Sequence, residues 1–232
     1  MKYQNRSGGS YEPARVKTRE GRLKTIKHSF CRSAFFLAIM ASINEKLKNT
    51  VVAIAGLGGL GSTVAVALAR AGIGKLIIAD FDKVEKDNLN RQQYFTDQLG
   101  KNKIDAMMEN LRRINPDVKV EAHHIRLTPE NVPQIFADAD VIAECFDKAE
   151  EKQMLVQTVL SKMDIPIVTV SGLAGYGNSN AIQTRCISDR LILVGDCESG
   201  VDSVNILTAA RVGIAASHQA NAIIEIIVER KK

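Results

Sequence analysis

Apolar residues occur along this chain in two patterns, and each pattern predicts a different kind of element. Short continuous apolar runs, such as VVAIA at 51–55, are typical of strands buried on both faces of a parallel sheet. Apolar residues at helical spacing, as between Ile104 and Ile114, are typical of helices that bury one face. The two patterns alternate as far as Gly172, which predicts an α/β fold with a Rossmann-like, doubly wound sheet.

The element boundaries follow from the turn residues between these segments. The predicted strands of the first part are 51–55, 75–82, 118–125, 139–147 and 166–172. The predicted helices are 42–49, 62–71, 104–114, 128–137, 148–163 and 209–228. After Gly172, two shorter strands at 180–187 and 190–195 follow each other without a helix between them. The sheet is therefore predicted to be parallel in its first part and antiparallel after about residue 178.

Charge is distributed unevenly between the two ends of the chain. Residues 1–39 carry nine Lys and Arg against two Glu, whereas the rest of the chain carries 22 basic and 24 acidic residues. The basic segment also lacks periodicity, so 1–39 is predicted to be a disordered extension and 40–232 the folded domain. Met40 is a candidate for the true start of the protein. Because the folded part is near neutral, no nucleic-acid partner is expected.

The cysteines and the apolar runs argue against a zinc protein and a membrane protein. None of the four cysteines belongs to a C-x-x-C pair, so the close thiolates of a structural zinc site are missing and no zinc is expected. Free thiols indicate a reducing compartment, and we expect a cytoplasmic location. No apolar run approaches the length of a membrane span, so no membrane association is expected.

The segment after the first strand carries a phosphate-binding pattern. Gly56, Gly58 and Gly61 form G-x-G-x-x-G, and Asp80 follows 19 residues later at the end of the second strand. Glycines let the backbone approach phosphate oxygens, and the amides that begin the next helix bind those oxygens. The carboxylate accepts hydrogen bonds from ribose hydroxyls. NAD, FAD, S-adenosylmethionine and ATP all fit, and the pattern alone favours a dinucleotide.

Polar residues further along the chain change this interpretation. Asn88 and Arg91 follow the second strand, Lys103 begins the next helix, and Asp147 ends the fourth strand. Two cations, an amide and a carboxylate around one phosphate site suit a triphosphate with Mg²⁺, because the cations neutralise the phosphates and the carboxylate binds the metal. Simpler interpretations stay open: Asn88 as a turn residue, Lys103 as a solvated helix residue and Asp147 as a helix N-cap.

These motifs together resemble the ThiF/MoeB/HesA family, the bacterial relatives of ubiquitin-activating enzymes. The matching segments are GLGGLGS at 56–62, DFD at 80–82 and NLNRQ at 88–92, and the N-R-Q element is the most specific of them. A lysine and a strand that ends in aspartate follow, as in the family. Segments such as SGLAGYGNSN and RVGIAASHQAN are similar to the short ThiF type, a sulfur carrier protein adenylyltransferase.

The resemblance implies a reaction and a partner. The C-terminal carboxylate of a small ubiquitin-fold carrier protein ending in Gly-Gly attacks ATP, which gives a carrier acyl-adenylate and pyrophosphate. The implied catalytic residues are Arg91 and Lys103, which stabilise charge on the phosphates, and Asp147, which holds Mg²⁺. The implied nucleotide-binding residues are Gly56, Gly58, Gly59, Gly61, Asp80, Asp82 and Asn88.

The resemblance also bears on residues near the two ends of the chain. It implies a homodimer, and Arg32 lies at the right distance before Gly56 to reach the phosphate site of a partner subunit. The covalent cysteine of some relatives corresponds to a position near Asp202, so no thioester or acyl-disulfide is expected. Cys197 is interpreted as a free surface thiol, and Gln219 as a packing or surface residue.

Other classes of protein use the same phosphate turn. An NAD-dependent oxidoreductase also needs a substrate domain and a group for hydride transfer, and the chain offers no obvious candidate for either. An ATP-dependent activator of a small or tRNA-borne carboxylate needs no protein partner. A nucleotide sensor without catalysis needs neither of the cations nor the carboxylate.

Overall fold

The computed structural model describes residues 16–17, 23–24, 28–200 and 206–229. Contacts between Cα atoms divide the chain into two units, residues 1–42 and 43–232. Most of the basic extension, the side chain of Arg32 and the whole of Asp202 lie outside the described residues. The predictions made for them therefore stay predictions.

Nine strands and six α-helices occur in the described residues. The strands are β1 Val16–Lys17, β2 Leu23–Lys24, β3 Val51–Ala55, β4 Lys75–Asp80, β5 Lys119–His124, β6 Val141–Glu144, β7 Ile167–Val170, β8 Gln183–Ser188 and β9 Leu191–Gly195. The helices are α1 His28–Lys48, α2 Gly59–Ala71, α3 Lys103–Ile114, α4 Val132–Ile135, α5 Ala149–Lys162 and α6 Ala209–Glu229. None of these helices is long and apolar enough to cross a membrane.

The second unit is built on one seven-stranded sheet, whereas β1 and β2 form a separate antiparallel pair. The strand order of the large sheet is β5-β4-β3-β6-β7-β9-β8. All neighbours in it are parallel except β8 and β9, which pair in antiparallel fashion. The predicted fold class, with its change of direction in the last part of the chain, is confirmed. The strand β9 itself still runs parallel to β7, and only β8 is reversed.

The strand order places a crevice at one edge of the sheet. From the central β3 the chain moves to β4 and β5 on one side, and then returns to β6 and β7 on the other. The connections on the two sides diverge where β3 and β6 end, and ligands of such sheets bind in the crevice outside the carboxyl ends of the strands. The segments that follow β3, β4, β6 and β7 therefore meet at this edge.

Helices cover both faces of the sheet. On one face α2, α3 and α6 bury residues such as Val64, Leu111 and Ile223. On the other face α4 and α5 pack a smaller cluster that includes Leu155 and Val159. The middle strands are buried on both sides, which accounts for the continuous apolar runs that predicted them. The core thus fixes the strand ends from which the crevice is built.

Three helix boundaries differ from the prediction. The helix predicted at 42–49 is the end of α1, which begins at His28, inside the segment 1–39 that was predicted to be disordered. The helix predicted at 128–137 is reduced to the four residues of α4, because Asn131 closes a turn in front of it. The Asn131 carboxamide accepts from the Thr128 amide at 2.8 Å and donates to the Arg126 carbonyl at 3.0 Å, and such local bonds compete with helix formation. The helix α2 begins at Gly59, three residues earlier than predicted, so the glycine turn runs directly into it.

Candidate functional site

A pocket of about 730 Å³ opens at the carboxyl ends of the middle strands. Nine of the ten predicted site residues line it: Gly56, Gly58, Gly59, Asp80, Asp82, Asn88, Arg91, Lys103 and Asp147. The tenth, Gly61, lies beneath the turn that forms part of the wall. The fold therefore brings predicted site residues that are up to 91 positions apart along the chain into one cavity.

The glycine turn needs its glycines for two different reasons. Gly56 has φ +91°, a conformation that disfavours side chains, and its amide donates to the Ala79 carbonyl at 2.9 Å. At Gly61 a Cβ atom would lie 1.9 Å from the Gly56 carbonyl oxygen. The first glycine therefore permits the turn, and the second permits helix α2 to begin directly against it.

Asp80 holds the glycine turn against the end of β4. Its Oδ2 accepts a hydrogen bond from the Leu57 amide at 2.6 Å, and its Oδ1 accepts one from the Asp82 amide at 2.7 Å. The buried Tyr94 hydroxyl donates to the Leu57 carbonyl at 2.9 Å, and burial raises the pKa of this phenol well above its usual range. Asp80 is thus a fixed carboxylate on the pocket wall with lone pairs left for a ligand hydroxyl.

Lys103 lies in the pocket lining and is held there by Asp82. The ammonium lies 2.8 Å from the Asp82 carboxylate, and the Lys103 backbone amide donates to the Asp82 carbonyl at 2.9 Å. The residue is only 5% exposed, so the alternative interpretation of Lys103 as a solvated helix residue is wrong. These two contacts fix the ammonium where little solvent reaches it. Because solvent screens it weakly there, its charge acts strongly on a nearby anion.

Asn88 and Arg91 belong to one tight turn that also lines the pocket. The Asn88 side chain accepts from the Glu85 amide at 3.2 Å, so it closes the turn as the simpler interpretation held, and it also lines the pocket. The Arg91 guanidinium donates to two oxygens of the same turn, Asp87 O and Asn90 Oδ1. The turn therefore presents both side chains to the pocket with little freedom to move.

The Arg91 side chain lies against the start of helix α2. Its Cγ is 3.5 Å from the position that a Cβ on Gly59 would occupy. Asp147 follows β6 on the other side and is exposed to the pocket. The N-cap position of α5 is Lys148 and no side chain caps that helix, so the alternative of Asp147 as an N-cap is wrong.

Two buried polar residues, one in the pocket lining and one at the end of β6, were not predicted from the sequence. Gln92 lines the pocket beside Gly58, and within the described part of the chain its buried Oε1 has no hydrogen-bond partner. Glu144 ends β6 and is completely buried. The sequence signal for Gln92 was its place in the N-R-Q element, and the signal for Glu144 was a charged residue inside the apolar run VIAEC. Neither signal showed where the side chain would point.

An ion pair between Asp196 and Arg211 forms a clamp that joins two loops of the pocket lining. Asp196 Oδ2 lies 2.7 Å from the Arg211 guanidinium, which also donates to the carbonyls of Gly177 and Asn178. Asp196 Oδ1 accepts from the Ser199 amide at 2.8 Å. The clamp joins the loop after β7, the loop after β9 and the first turn of α6, and both loops line the pocket.

The clamp predicts a specific dependence of stability on acid. Burial raises the pKa of Asp196, but the hydrogen bonds from Ser199, Glu198 and Arg211 outweigh it and lower the pKa to about 2 from the usual 3.8. A lowered folded-state pKa stabilises the fold above pH 4 and loses this effect as the pH falls towards 2. We expect Asp196→Asn to be destabilising at pH 7 and nearly neutral at pH 2.

Urea unfolding of wild type and Asp196→Asn at several pH values measures this difference. Subtracting the two free energies of unfolding removes the contribution of other acidic groups that titrate in the same range. A difference that stays constant from pH 7 to pH 2 would show that the Asp196 charge does not stabilise the clamp.

Neither cysteine near the pocket has the surroundings of an established nucleophile. Burial raises the pKa of the Cys145 thiol well above its usual range. Cys197 is a free, exposed thiol, in agreement with its interpretation from sequence. The fold does bring one cation to Cys197 that sequence neighbours do not supply, because the Arg185 guanidinium lies 3.2 Å from its sulfur.

The fold and the pocket define a class of Rossmann-like α/β proteins in which a glycine turn and cationic side chains meet at the carboxyl edge of the sheet. Residues 30–232 match the family described as "ThiF family". The chain belongs to the ThiF family, as its motifs indicated.

Curated relatives match rather more than half of the chain. It is 38% identical over 134 residues to "Adenylyltransferase and sulfurtransferase MOCS3" of Caenorhabditis briggsae, which is 57% of this chain and 33% of that protein. It is 37% identical over 131 residues to "Ubiquitin-like modifier-activating enzyme 5" of Bombyx mori, which is 52% of this chain and 33% of that protein. The matches thus span about a third of the length of these relatives.

Solved structures match the fold over nearly the whole chain. The Escherichia coli tRNA N6-threonylcarbamoyladenosine dehydratase TcdA, in complex with AMP, has a TM-score of 0.74 and 21% identity over 88% of this chain and 98% of that one. Escherichia coli MccB with succinimide has a TM-score of 0.64 and 25% identity over 86% of this chain and 64% of that one. The identity to TcdA is low enough that this likeness shows the fold alone.

Proposed function

We propose that this protein is an ATP-dependent adenylyltransferase that activates the C-terminal Gly-Gly carboxylate of a small ubiquitin-fold sulfur carrier protein of the ThiS type. The observation that carries the proposal is the position of Arg91, Lys103 and Asp147 on the walls of the same pocket as the glycine turn. Two cations and a carboxylate exceed what a pyrophosphate bridge needs, and they match a triphosphate that loses pyrophosphate.

The residues of the pocket fit Mg²⁺ as well as ATP. Mg²⁺ keeps several waters and takes one or two protein carboxylates together with phosphate oxygens. Asp147 is exposed to the pocket and supplies such a carboxylate, and no larger cluster of metal-binding side chains occurs in the part of the chain that the structure describes. When bound, the ion would neutralise phosphate charge during the reaction.

The reaction needs positioning and charge stabilisation, and it needs no nucleophile from this chain. The carrier carboxylate attacks the α-phosphorus of ATP, a C(O)O–P bond forms, and the bond to the bridging oxygen of pyrophosphate breaks. Because the attacking group is already an anion, no general base is required. Negative charge accumulates on the phosphate oxygens, where the guanidinium of Arg91 and the ammonium of Lys103 stabilise it.

Two features support a carrier protein as the substrate. The curated relatives are adenylyltransferases and activating enzymes of ubiquitin-like modifiers by name. The loop after β7 lines the pocket with residues 171–174, and this loop is the candidate path for an extended peptide tail that enters the pocket. We also propose a homodimer, as the family resemblance implies, and a site of action in the sulfur-transfer chemistry of the cytoplasm, such as thiamine synthesis.

A second candidate is an enzyme that activates a carboxylate on tRNA. It stays open because TcdA, a tRNA N6-threonylcarbamoyladenosine dehydratase by name, shares this fold over 98% of its own chain. The ATP site would be the same, and only the carboxylate and the surface that binds its carrier would differ.

Exchange of labelled pyrophosphate into ATP tests the proposal. We expect exchange in the presence of Mg²⁺ and a carrier protein ending in Gly-Gly, and no exchange with the same carrier after removal of its last glycine. Intact mass of the carrier should increase by one AMP moiety. Exchange that depends on tRNA instead would favour the second candidate, and tight NADH binding with no exchange under any condition would contradict both.

A further inference from the structure

Glu144 is a completely buried carboxylate whose four lone-pair positions are all used. Its Oε1 accepts from the Phe146 amide at 2.7 Å and from the Lys152 ammonium at 3.1 Å. Its Oε2 accepts from the same ammonium at 3.0 Å and from the Thr169 hydroxyl at 2.6 Å. Three elements are thereby joined at one charge: the end of β6, the first half of α5 and the strand β7.

The strand end that Glu144 fixes is the one that carries Asp147. The Phe146 amide, which Glu144 binds, directly precedes that residue in the chain. The backbone on the other side of Glu144 is also tied, because Gln219 of α6 donates to the Glu144 carbonyl at 2.9 Å and to the Val168 carbonyl at 2.8 Å. The loop that presents Asp147 therefore starts from a strand end held by its side chain and by its carbonyl.

The same strand end also touches the glycine turn. A Cβ on Gly56 would lie 3.1 Å from the Cys145 carbonyl oxygen, and a Cβ on Gly61 would lie 3.2 Å from the Cys145 Cβ. A shift at the end of β6 therefore changes the distance between the carboxylate of Asp147 and the phosphate-binding amides.

A buried ion pair is an expensive way to stabilise a fold. Desolvation of both charges offsets most of their attraction, and replacement of such pairs by apolar residues is often neutral or stabilising. Core packing alone therefore gives no reason for Glu144 and Lys152. Lys152 lines the pocket with 22% of its side chain exposed, so the pair lies between the core and the site.

We propose that Glu144 and Lys152 form a positioning pair that orients the Asp147 loop and thereby determines how strongly Mg²⁺ increases the affinity of the pocket for ATP. The inference rests on the proposed function, since it takes ATP as the ligand and Asp147 as the residue that holds Mg²⁺. Neither member of the pair needs to touch the nucleotide. Their effect passes through the backbone of Phe146.

Calorimetric titration of the full chain with ATP, with and without Mg²⁺, tests the pair. For Glu144→Gln we expect the affinity for ATP alone to stay within about twofold of wild type, whereas the gain on adding Mg²⁺ falls by about tenfold or more, the usual effect of losing a partner behind a metal ligand. The new amide NH₂ would face donors from Phe146, Lys152 or Thr169, so the loop loses its fixed geometry. Asp147→Asn should remove the gain altogether.

Two further variants separate positioning from loss of stability. Thr169→Val keeps the volume and the ion pair but removes one hydrogen bond, and should lower the Mg²⁺ gain in the same direction by a smaller factor. Leu155→Ala makes a cavity in α5, away from the pocket lining, and should lower the melting temperature while the Mg²⁺ gain is unchanged.

The outcomes distinguish this inference from the proposed function. If folded Glu144→Gln keeps the wild-type gain in ATP affinity on adding Mg²⁺, the positioning role is overturned and the proposed adenylyltransferase activity is not. If Glu144→Gln does not fold, a wild-type gain in Thr169→Val has the same meaning. An equal loss of gain in Leu155→Ala would assign the effect to stability and would also overturn it. A wild type that binds no ATP, with or without Mg²⁺, would overturn the proposed function itself.

Discussion

Replacing Lys103 by Met is expected to lower the rate of adenylate formation by about 10²–10³-fold, the usual cost of removing a fixed charge that stabilises a transition state. The ammonium is nearly buried and held by Asp82, so it acts in a sheltered environment without having to reorganise during the reaction. Because negative charge increases on the phosphates as the bond breaks, the loss should be larger in kcat than in KM for ATP. Carrier-dependent pyrophosphate exchange measures both constants.

Lys101→Met is the matched control for this experiment. Lys101 lies two residues earlier and also makes an ion pair, with Glu109 at 2.9 Å, but it is exposed and outside the pocket lining. The control therefore removes the same charge and a similar contact while the exchange rate is expected to stay within about twofold, as for other exposed pairs of little energetic value. Equal losses in the two variants would mean that net charge, and not the position of Lys103, controls the rate.

Gly61→Ala is expected to damage the pocket although it adds only one methyl group. The new Cβ would lie 1.9 Å from the Gly56 carbonyl oxygen, so the turn or the whole of α2 must move by more than 1 Å. Displacement on this scale costs about 10²-fold in rate when it separates a substrate from the groups that position it. We expect the exchange rate to fall by at least this factor and the melting temperature to drop.

Gly213→Ala is the matched comparison, and its effect on stability is expected to have the opposite sign. Gly213 is also a helical glycine, in α6, but a Cβ built on it meets no atom within 4 Å. Alanine should therefore stabilise the helix by about 0.5–1 kcal/mol without affecting exchange. Thermal unfolding and the exchange assay, applied to both variants, check the pair. Unchanged exchange in Gly61→Ala would show that the turn can relax around the methyl group.

The parts of the site that the sequence predicted are those set by local spacing. The glycine turn, Asp80 after the second strand and Asp147 after the fourth follow from the rule that parallel strands end at one edge, so their meeting in one pocket required no knowledge of side-chain contacts. The Rossmann-like fold followed from the same alternation. The roles given to these residues stay predictions until variants are measured.

The parts that the sequence did not predict depend on distant partners. The carboxylate of Glu144 is bound by the hydroxyl of Thr169, 25 residues away, and by the ammonium of Lys152 on the next helix. Gln219, interpreted as packing or surface, reaches carbonyls of two strands more than fifty residues earlier. The prediction of a helix at 128–137 was wrong for a different reason. The Asn131 side chain competes for the backbone groups that a helix would need.

The contacts of α6 have a consequence for the way the protein is made. This helix supplies Gln219 to the end of β6 and Arg211 to the clamp with Asp196, and Val212 lies 3.0 Å from the position that a Cβ on Gly59 would occupy. During synthesis on the ribosome, the strands and α2 emerge first, but these three contacts become available only after residue 219 has left the exit tunnel. A nascent chain therefore completes the wall of this pocket late, after most of its sheet has been translated.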